Sequence, residues 1–208
     1  MTTEHLSEVP VLIPAAGFSS RMRGDDKLLR EVDGVPLLKR QIGRALAATR
    51  GAVIVMLPPE PHGRYTCLEQ SAALGVPVPD ARVGMSASLK RGMQALPPGT
   101  RAAMILLPDL PDITSADIRS VLAPVGTDDT ISMWCAATSD GRPGHPVVIR
   151  SELFDDFLAL SGDGGARELR RREEAKNAVR YIRLAGNRAR LDLDTPEDWA
   201  DWEAARTR

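Results

Sequence analysis

The sequence LIPAAGFSSRMRGDDKLL, residues 12–29, joins the end of an apolar strand to a long loop of small residues around Gly17. Three cationic side chains follow these small residues, namely Arg21, Arg23 and Lys27. Small residues let backbone N–H groups approach a ligand closely, and fixed cations nearby attract negative charge. The stretch therefore predicts an anion-binding loop suited to a polyphosphate, although its composition also allows an ordinary connection between a strand and a helix.

The residue spacing excludes two common phosphate-binding loops. A P-loop requires Gly-Lys-Ser/Thr at its end, but Gly24 is followed by Asp25, and Lys27 is followed by Leu28. The dinucleotide fingerprint requires glycines at its first, third and sixth positions, and after Gly17 those positions hold serine and methionine. The loop thus belongs to neither class.

Composition indicates an aliphatic core and no global charge bias. The 208 residues include 43% hydrophobic and only 4% aromatic residues, so aliphatic side chains must fill the core. The formal net charge of −1 supplies no basic field for a nucleic acid. The length fits one large domain or two small ones, and a single domain, residues 1–208, is the simpler prediction.

The sequence contains no recognisable signal peptide, membrane span or cysteine framework. The first residues lack the charged and apolar regions of a signal peptide, and no apolar run approaches the ~20 residues that cross a bilayer. Cys67 and Cys135 are too few for a disulfide framework and lack the spacing of metal pairs, which favours buried thiols. We expect a cytoplasmic protein that binds no membrane.

Apolar runs predict a parallel sheet. The first strand is followed by a helix with apolar positions at Leu38, Ile42 and Leu46, and then by the continuous apolar run 52–57. A similar run occupies residues 102–107. Alternation of strand, helix and strand favours an α/β fold with a mostly parallel sheet.

The other elements are predicted from start and stop signals. Ser86 or Ser88 is a candidate cap for a helix that ends before Pro97, and Thr114 with Asp117 forms a capping-box pattern. A last helix is predicted after residue 195. The remaining predictions are a short helix over 64–73 and strands over 76–78, 131–135, 146–149, 179–183 and 190–193.

Asp109 follows directly after the predicted strand 102–107, and Pro108 and Pro111 restrict the backbone on either side of it. In an open parallel sheet, ligands bind beyond the carboxyl ends of the strands. Asp109 is therefore a candidate metal ligand, although a surface carboxylate could also stand there for solubility.

Asp192 and Asp194 alternate with leucines just before the last helix. A strand at this position would place both carboxylates on one face. With Asp109, one or both could supply the hard oxygen ligands that Mg²⁺ prefers. The alternative is a polar strand face that compensates the dipole of the helix.

Two further segments contain candidate substrate-binding residues. His145 lies in GRPGHPVV, where a structural hydrogen bond and a substrate contact are equally compatible with the pattern. Asp163 and Arg167 lie in SGDGGAR, which either binds a substrate or forms the turn that begins a helix.

Taken together, the motifs resemble the MobA-like nucleotidyltransferases. Residues 12–29 are similar to the signature of that family, and five later segments match its motifs in order: VGMSASLKRGMQAL, LLPDLPDI, GRPGHPVVI, SGDGGAR and LDLDTPEDW. The segments GMSASL, GHP and GDGGAR are similar to the branch that contains molybdenum cofactor cytidylyltransferase.

The resemblance implies a single Rossmann-like, three-layer α/β domain with a mixed, mostly parallel sheet. It also implies that Arg21 and Lys27 contact the phosphates of a nucleoside triphosphate and that Asp109 binds Mg²⁺ together with Asp192 or Asp194. The residues that it implies around the nucleotide are Ala15, Ala16, Gly17, Gly84, Met85, Ser86 and Ser88.

The implied reaction is the transfer of CMP from CTP to the phosphate of molybdopterin, with a molybdoenzyme or its chaperone as a client. GTP as donor, or another phosphorylated acceptor such as methylerythritol phosphate, is the nearest alternative. Pro14 departs from the pattern of the branch, and IPAAG is similar to the methylerythritol phosphate cytidylyltransferases. A non-catalytic protein that holds the cofactor for insertion is the alternative from another class.

Overall fold

A computed structural model describes residues 7–159 and 165–206 of the chain. Its strands are β1 (Val11–Pro14), β2 (Glu31–Val32), β3 (Val35–Pro36), β4 (Val53–Leu57), β5 (Leu74–Pro77), β6 (Ala102–Ile105), β7 (Met133–Ala137), β8 (Pro143–Arg150) and β9 (Val179–Arg183). Its α-helices are α1 (Leu37–Leu46), α2 (Met85–Gln94), α3 (Ser115–Leu122), α4 (Phe154–Ala159), α5 (Gly165–Ala175) and α6 (Pro196–Arg206).

Seven strands of the described chain form one sheet in the order β5-β4-β1-β6-β8-β7-β9. Neighbouring strands are parallel except where β8 pairs with β6 and β7, both of which it meets antiparallel. Strand β1 is an interior strand and pairs in parallel with β4 and β6, so that Val11 is opposite Val53 on one side and Met104 on the other. This mixed α/β sheet confirms the predicted fold class.

The sheet is the middle of three layers because its inner strands β1, β4, β6 and β7 are buried on both faces. Along β1, Val11 and Ile13 face one core cluster, and Leu12 faces the other. Helices α1 and α3 cover the first face, while α2, α4 and α5 cover the second. Gly92 lets α2 approach β4, since a Cβ atom there would lie 2.6 Å from Sδ of Met56.

Helix α6 forms a separate small core against the loop that follows β1. Trp199 and Trp202 pack edge to face with ring centroids 5.9 Å apart, beside Met22 and Leu37. The predicted last helix begins with a cap, in which the Thr195 N–H donates to Asp198 over 2.8 Å and the Asp198 N–H donates to the Thr195 hydroxyl over 3.1 Å. The last helix therefore holds the loop against the sheet.

The predicted strand over 190–193 is wrong. The N–H groups of Arg190 and Leu191 donate to the carbonyl of Asn187 over 2.9 Å and 3.0 Å, and that of Asp192 donates to Arg190 over 3.0 Å. These local turns use the donors that a strand would pair with a neighbour. Alternation of apolar and polar residues arises here from a turn that buries Leu193.

Two other predictions need correction. The short helix predicted over 64–73 is a 3₁₀ helix that spans only Gly63–Leu68, and the strand predicted over 76–78 is β5, Leu74–Pro77. Helix α2 begins at Met85 after Gly84, whose φ of 119° is outside the range of a serine cap, and no side chain caps the helix. The capping box of Thr114 and Asp117 is confirmed at the start of α3.

Cys67 and Cys135 are buried as free thiols, and burial raises the pKa of Cys135 to about 12.

Among the helices of the described residues, none combines the length and apolar content that would span a bilayer.

Candidate active site

A cavity of about 480 Å³ opens where β1 and β6 end. Three segments line it: the loop after β1, the start of α2 and the residues after β6 up to Asp109. Asp194, from the segment before α6, completes the wall. The position agrees with the rule that ligands bind beyond the carboxyl ends of strands in an open α/β sheet.

Four charged side chains form a network on one wall of the cavity. Nζ of Lys27 lies 2.6 Å from Oδ2 of Asp109 and 2.7 Å from Oδ1 of Asp194. Nη1 of Arg21 lies 2.7 Å from the other oxygen of Asp194. Arg21 is largely exposed, whereas the other three are mostly buried, so the network extends from the wall to solvent.

Lys27 is charged in this network. Burial lowers its pKa, but the negative charge and hydrogen bond of Asp109, with those of Asp194, outweigh the effect and raise the pKa above its usual value. The wall thus holds a permanent cation between two carboxylates.

The backbone around Asp109 is anchored from two sides. The buried side chain of Gln41, on α1, donates to the carbonyl of Leu110, and Arg44 on the same helix donates to that of Pro111 over 2.7 Å. On the other side, the N–H of Leu193 donates to the carbonyl of Asp109 over 3.1 Å. Helix α1 and the segment before α6 therefore fix the position of this carboxylate.

Asp194 is held by the cap of α6. Its N–H donates to Oδ2 of Asp198 over 3.1 Å, and the same oxygen accepts from the N–H of Thr195. The N–H of Asp198 in turn donates to the Thr195 hydroxyl over 3.1 Å. The helix cap thereby orients a residue of the cavity wall.

The carboxylates suit a divalent cation. Oδ1 of Asp109 is buried and has no hydrogen-bond partner among the described residues, so it is an oxygen free to ligate. No group of three or more His, Cys, Asp or Glu side chains within residues 7–159 and 165–206 is close enough to bind a metal. A pair is sufficient for Mg²⁺, which usually takes one or two carboxylates and completes its shell with water and phosphate.

Asp192 lies beside this pair but outside the cavity wall. Its side chain is exposed and does not line the cavity, unlike that of Asp194. Partial burial, the charges of Asp194 and Asp109, and a side-chain hydrogen bond with Asp194 raise its pKa. Because the segment is a turn, the two aspartates do not share a strand face, and Asp194 is the one in contact with the network.

The residues predicted around the nucleotide fall into two groups. Gly17, Gly84, Met85 and Ser88 line the cavity, the last three at the N-terminus of α2, where backbone N–H groups and the helix dipole favour an anion. Ala15 and Ala16 are fully buried, so only their backbone groups could serve a ligand, and Ser86 is exposed without lining the cavity.

The predicted substrate-binding residues are not part of the cavity wall. His145 lies behind it: burial lowers its pKa against the opposing effects of a backbone hydrogen bond with Ile105 and the charge of Asp109. Arg167 is exposed near the start of α5. Asp163 is outside the described residues.

Sequence reasoning did not select two pairs of residues near the cavity. Phe18 and Arg82 line it, with the Phe18 ring 57% exposed and the guanidinium 5.7 Å from the ring centroid. Arg64 and Asp26 form a buried ion pair behind the loop, with Nε 2.7 Å from Oδ2. Arg64 lies in the irregular segment after β4, where no periodicity could indicate its partner.

The sequence profile of the MobA-like NTP transferase domain matches residues 11–178. No protein of curated function matches the chain in sequence at a significant level.

Several solved structures share the fold over nearly the whole chain. The Rv0371c homologue from Mycobacterium sp. strain JC1 has 27% identity and a TM-score of 0.77, covering 98% of this chain and 99% of its own. Rv0371c from Mycobacterium tuberculosis H37Rv, in complex with manganese, has 22% identity and a TM-score of 0.76, covering 94% and 97%. CMP:2-keto-3-deoxy-manno-octonic acid synthetase in complex with CTP has 15% identity and a TM-score of 0.74, covering 97% and 99%.

Proposed function

Because the chain belongs to the MobA-like NTP transferase family, we propose that it transfers CMP from CTP to the phosphate of a small molecule, and that the acceptor is molybdopterin. The observation that best supports this reaction is the contact of Lys27 with Asp109 and Asp194 at the carboxyl end of β6. Residues that bind phosphate and residues that bind a cation meet there in one cavity.

In the proposed reaction, an oxygen of the acceptor phosphate attacks the α-phosphorus of CTP in line. A new P–O bond forms, the bond from the α-phosphorus to the bridging oxygen breaks, and pyrophosphate leaves with the electron pair. Such a displacement needs positioning and charge neutralisation rather than a covalent nucleophile. The side chains of Lys27 and Arg21 are cations at the cavity wall and would stabilise charge on the departing pyrophosphate.

Asp109 and Asp194 are the residues that would hold Mg²⁺, and the unpartnered Oδ1 of Asp109 supports this assignment. A divalent cation bound there supplies positive charge that polarises the phosphoryl oxygens. The manganese complex of the similar mycobacterial protein is consistent with a divalent metal in this fold. Asp192, exposed beside the pair, would contribute only a second, weaker interaction.

The loop after β1 and the N-terminus of α2 would hold the nucleotide. Both line a cavity of about 480 Å³, a size suited to a small-molecule ligand, and supply small residues and backbone N–H groups. The complex of a similar structure with CTP supports a cytidine donor. The molybdopterin acceptor rests on the GMSASL, GHP and GDGGAR segments, which are similar to the cytidylyltransferase branch.

A pyrophosphate-release assay tests the proposal. Purified protein is incubated with Mg²⁺, with either molybdopterin or methylerythritol phosphate, and with each of CTP, GTP, ATP and UTP in turn. We expect release with CTP at a rate well above that with GTP, and formation of a cytidine dinucleotide. Preference for GTP would overturn the assignment of the donor, and turnover only with methylerythritol phosphate would overturn that of the acceptor. Tight pterin binding without release would favour a non-catalytic carrier.

A further inference from the structure

Arg64 is a buried cation whose side chain contacts the anion-binding loop after β1. Its residue exposure is 2%, and it follows β4 in the 3₁₀ helix Gly63–Leu68. The guanidinium does not line the cavity and so does not face the ligand directly. Burying an arginine costs folding free energy unless its N–H groups have acceptors, so the acceptors of Arg64 indicate its structural role.

Each N–H bond of the Arg64 guanidinium has an acceptor in the loop. Nε and Nη2 donate to the two oxygens of Asp26 over 2.7 Å and 2.8 Å, in a bidentate pair. Nη1 donates to the carbonyls of Ala15 and Gly17 over 2.6 Å and 2.7 Å, and Nη2 also donates to the Ser19 hydroxyl over 3.1 Å. The side chain therefore connects the beginning of the loop to Asp26, the residue before Lys27.

These contacts determine where the loop amides point. In a trans peptide unit the C=O and the following N–H point in opposite directions. The carbonyls of Ala15 and Gly17 are turned towards Arg64, so the N–H groups of Ala16 and Phe18 point away from it. Neither N–H donates to an acceptor within the described residues, although Ala16 is fully buried. Phe18 lines the cavity, so its unpaired N–H is available to a ligand there, whereas Ala16 does not line the cavity.

The loop needs such a constraint because its backbone is strained. Ser19 has a φ of 48° and Arg23 a φ of 55°, both in the left-handed region. L-residues adopt that region at a cost, and it persists where surrounding contacts determine it. Burial raises the pKa of Asp26, but the hydrogen bonds and charge of Arg64 outweigh this and lower the pKa below its usual value. Asp26 is thus charged at neutral pH and keeps its ion pair with Arg64.

We propose that Arg64 is a positioning residue of the nucleotide site: it holds the loop after β1 in its ligand-binding conformation before the ligand arrives. The inference rests on the proposed function, and it concerns affinity more than the chemical step. Loss of Arg64 leaves the loop in its binding-competent conformation for only a fraction of the time, and apparent affinity falls by that fraction. Once the nucleotide is bound, the loop is ordered and the chemical step proceeds.

The test combines amide hydrogen exchange with kinetics for Arg64→Met. We expect the loop amides of Met22, Asp25 and Leu28, which are hydrogen-bonded within the loop, to exchange about tenfold faster or more, while those of β7 and β8 are unchanged. The KM for CTP should rise about tenfold or more, with kcat within about threefold of the wild type.

Asp26→Asn and Arg180→Met complete the experiment. Asp26→Asn keeps Arg64 and the shape of its partner, so it should show the same changes to a smaller extent even if Arg64→Met folds poorly. Arg180 on β9 forms an ion pair with Asp128 at 3.0 Å that is more exposed than that of Arg64 and lies outside the loop after β1, and its loss should leave loop exchange and KM unchanged.

Unchanged loop exchange in both Arg64→Met and Asp26→Asn would overturn the role of Arg64, and so would a fall in kcat without a rise in KM. The exchange experiment uses the protein without nucleotide. A wild-type protein that releases no pyrophosphate would therefore contradict the proposed function, while the exchange result would still decide the role of Arg64.

Discussion

Lys27 and Asp109 are 82 positions apart in the sequence, and their charged groups lie 2.6 Å from each other at the carboxyl end of β6. One comes from the loop after β1 and the other from the segment after β6, which are neighbouring strands of the sheet. Asp194, at 2.7 Å from the same ammonium group, brings in a third segment. The chemistry proposed for this protein depends on that meeting of three segments.

Lys27→Ala should lower kcat of the transfer reaction by about 10²–10³, because it removes a preorganised cation from the site of charge development. Steady-state pyrophosphate release measures the loss. Lys90→Ala, at an exposed position of α2 outside the cavity wall, is the matched control and should retain full activity. Equal activity of the two variants would exclude Lys27 from the mechanism.

Asp109→Ala should abolish most of the metal-dependent turnover, by about 10² or more, since it removes the carboxylate with the free buried oxygen. Mn²⁺ binding, followed by electron paramagnetic resonance, should weaken in parallel. Asp129→Ala, at a fully exposed carboxylate, should change neither quantity. Near-normal turnover of Asp109→Ala with Mg²⁺ would contradict the metal assignment.

Asp198→Ala should reduce both stability and activity, because Asp198 caps α6 and also orients Asp194. Loss of a cap lowers the free energy of unfolding by about 0.5–2 kcal/mol, which urea denaturation can measure. Asp117→Ala removes the equivalent cap of α3 and is the control. It should lose similar stability without loss of kcat, and an equal loss of kcat in both variants would show that the effect is not local to the site.

Asp26 should make stability depend on pH in acid. Its folded pKa lies below its usual value, so the stability it contributes is present above the unfolded pKa of about 3.9 and is lost as pH falls through the lower folded value. The difference in free energy of unfolding between wild type and Asp26→Asn should therefore be largest near neutral pH and shrink below about pH 4. A constant difference from pH 7 to pH 3, measured by urea denaturation, is the contrary result.

Local patterns predicted most of the fold because they depend on neighbours in the chain. The apolar runs at β4 and β6 are buried on both faces, and the Thr114 capping box forms as its spacing indicates. The strand predicted over 190–193 was wrong because alternating polarity is also a local pattern. Here it occurs in a turn at Asn187 that has no partner strand. The single-domain organisation and the roles of the site residues stay predictions.

The sequence by itself determined the family and the sheet with its helices, because both depend on residue order and spacing. Tertiary structure alone decided that Asp194, rather than Asp192, contacts the Lys27–Asp109 pair. It also decided that Arg64 holds the loop from behind through Asp26. Both results depend on which side chains meet across the sheet after the chain has folded, and no periodicity in the sequence records such a meeting.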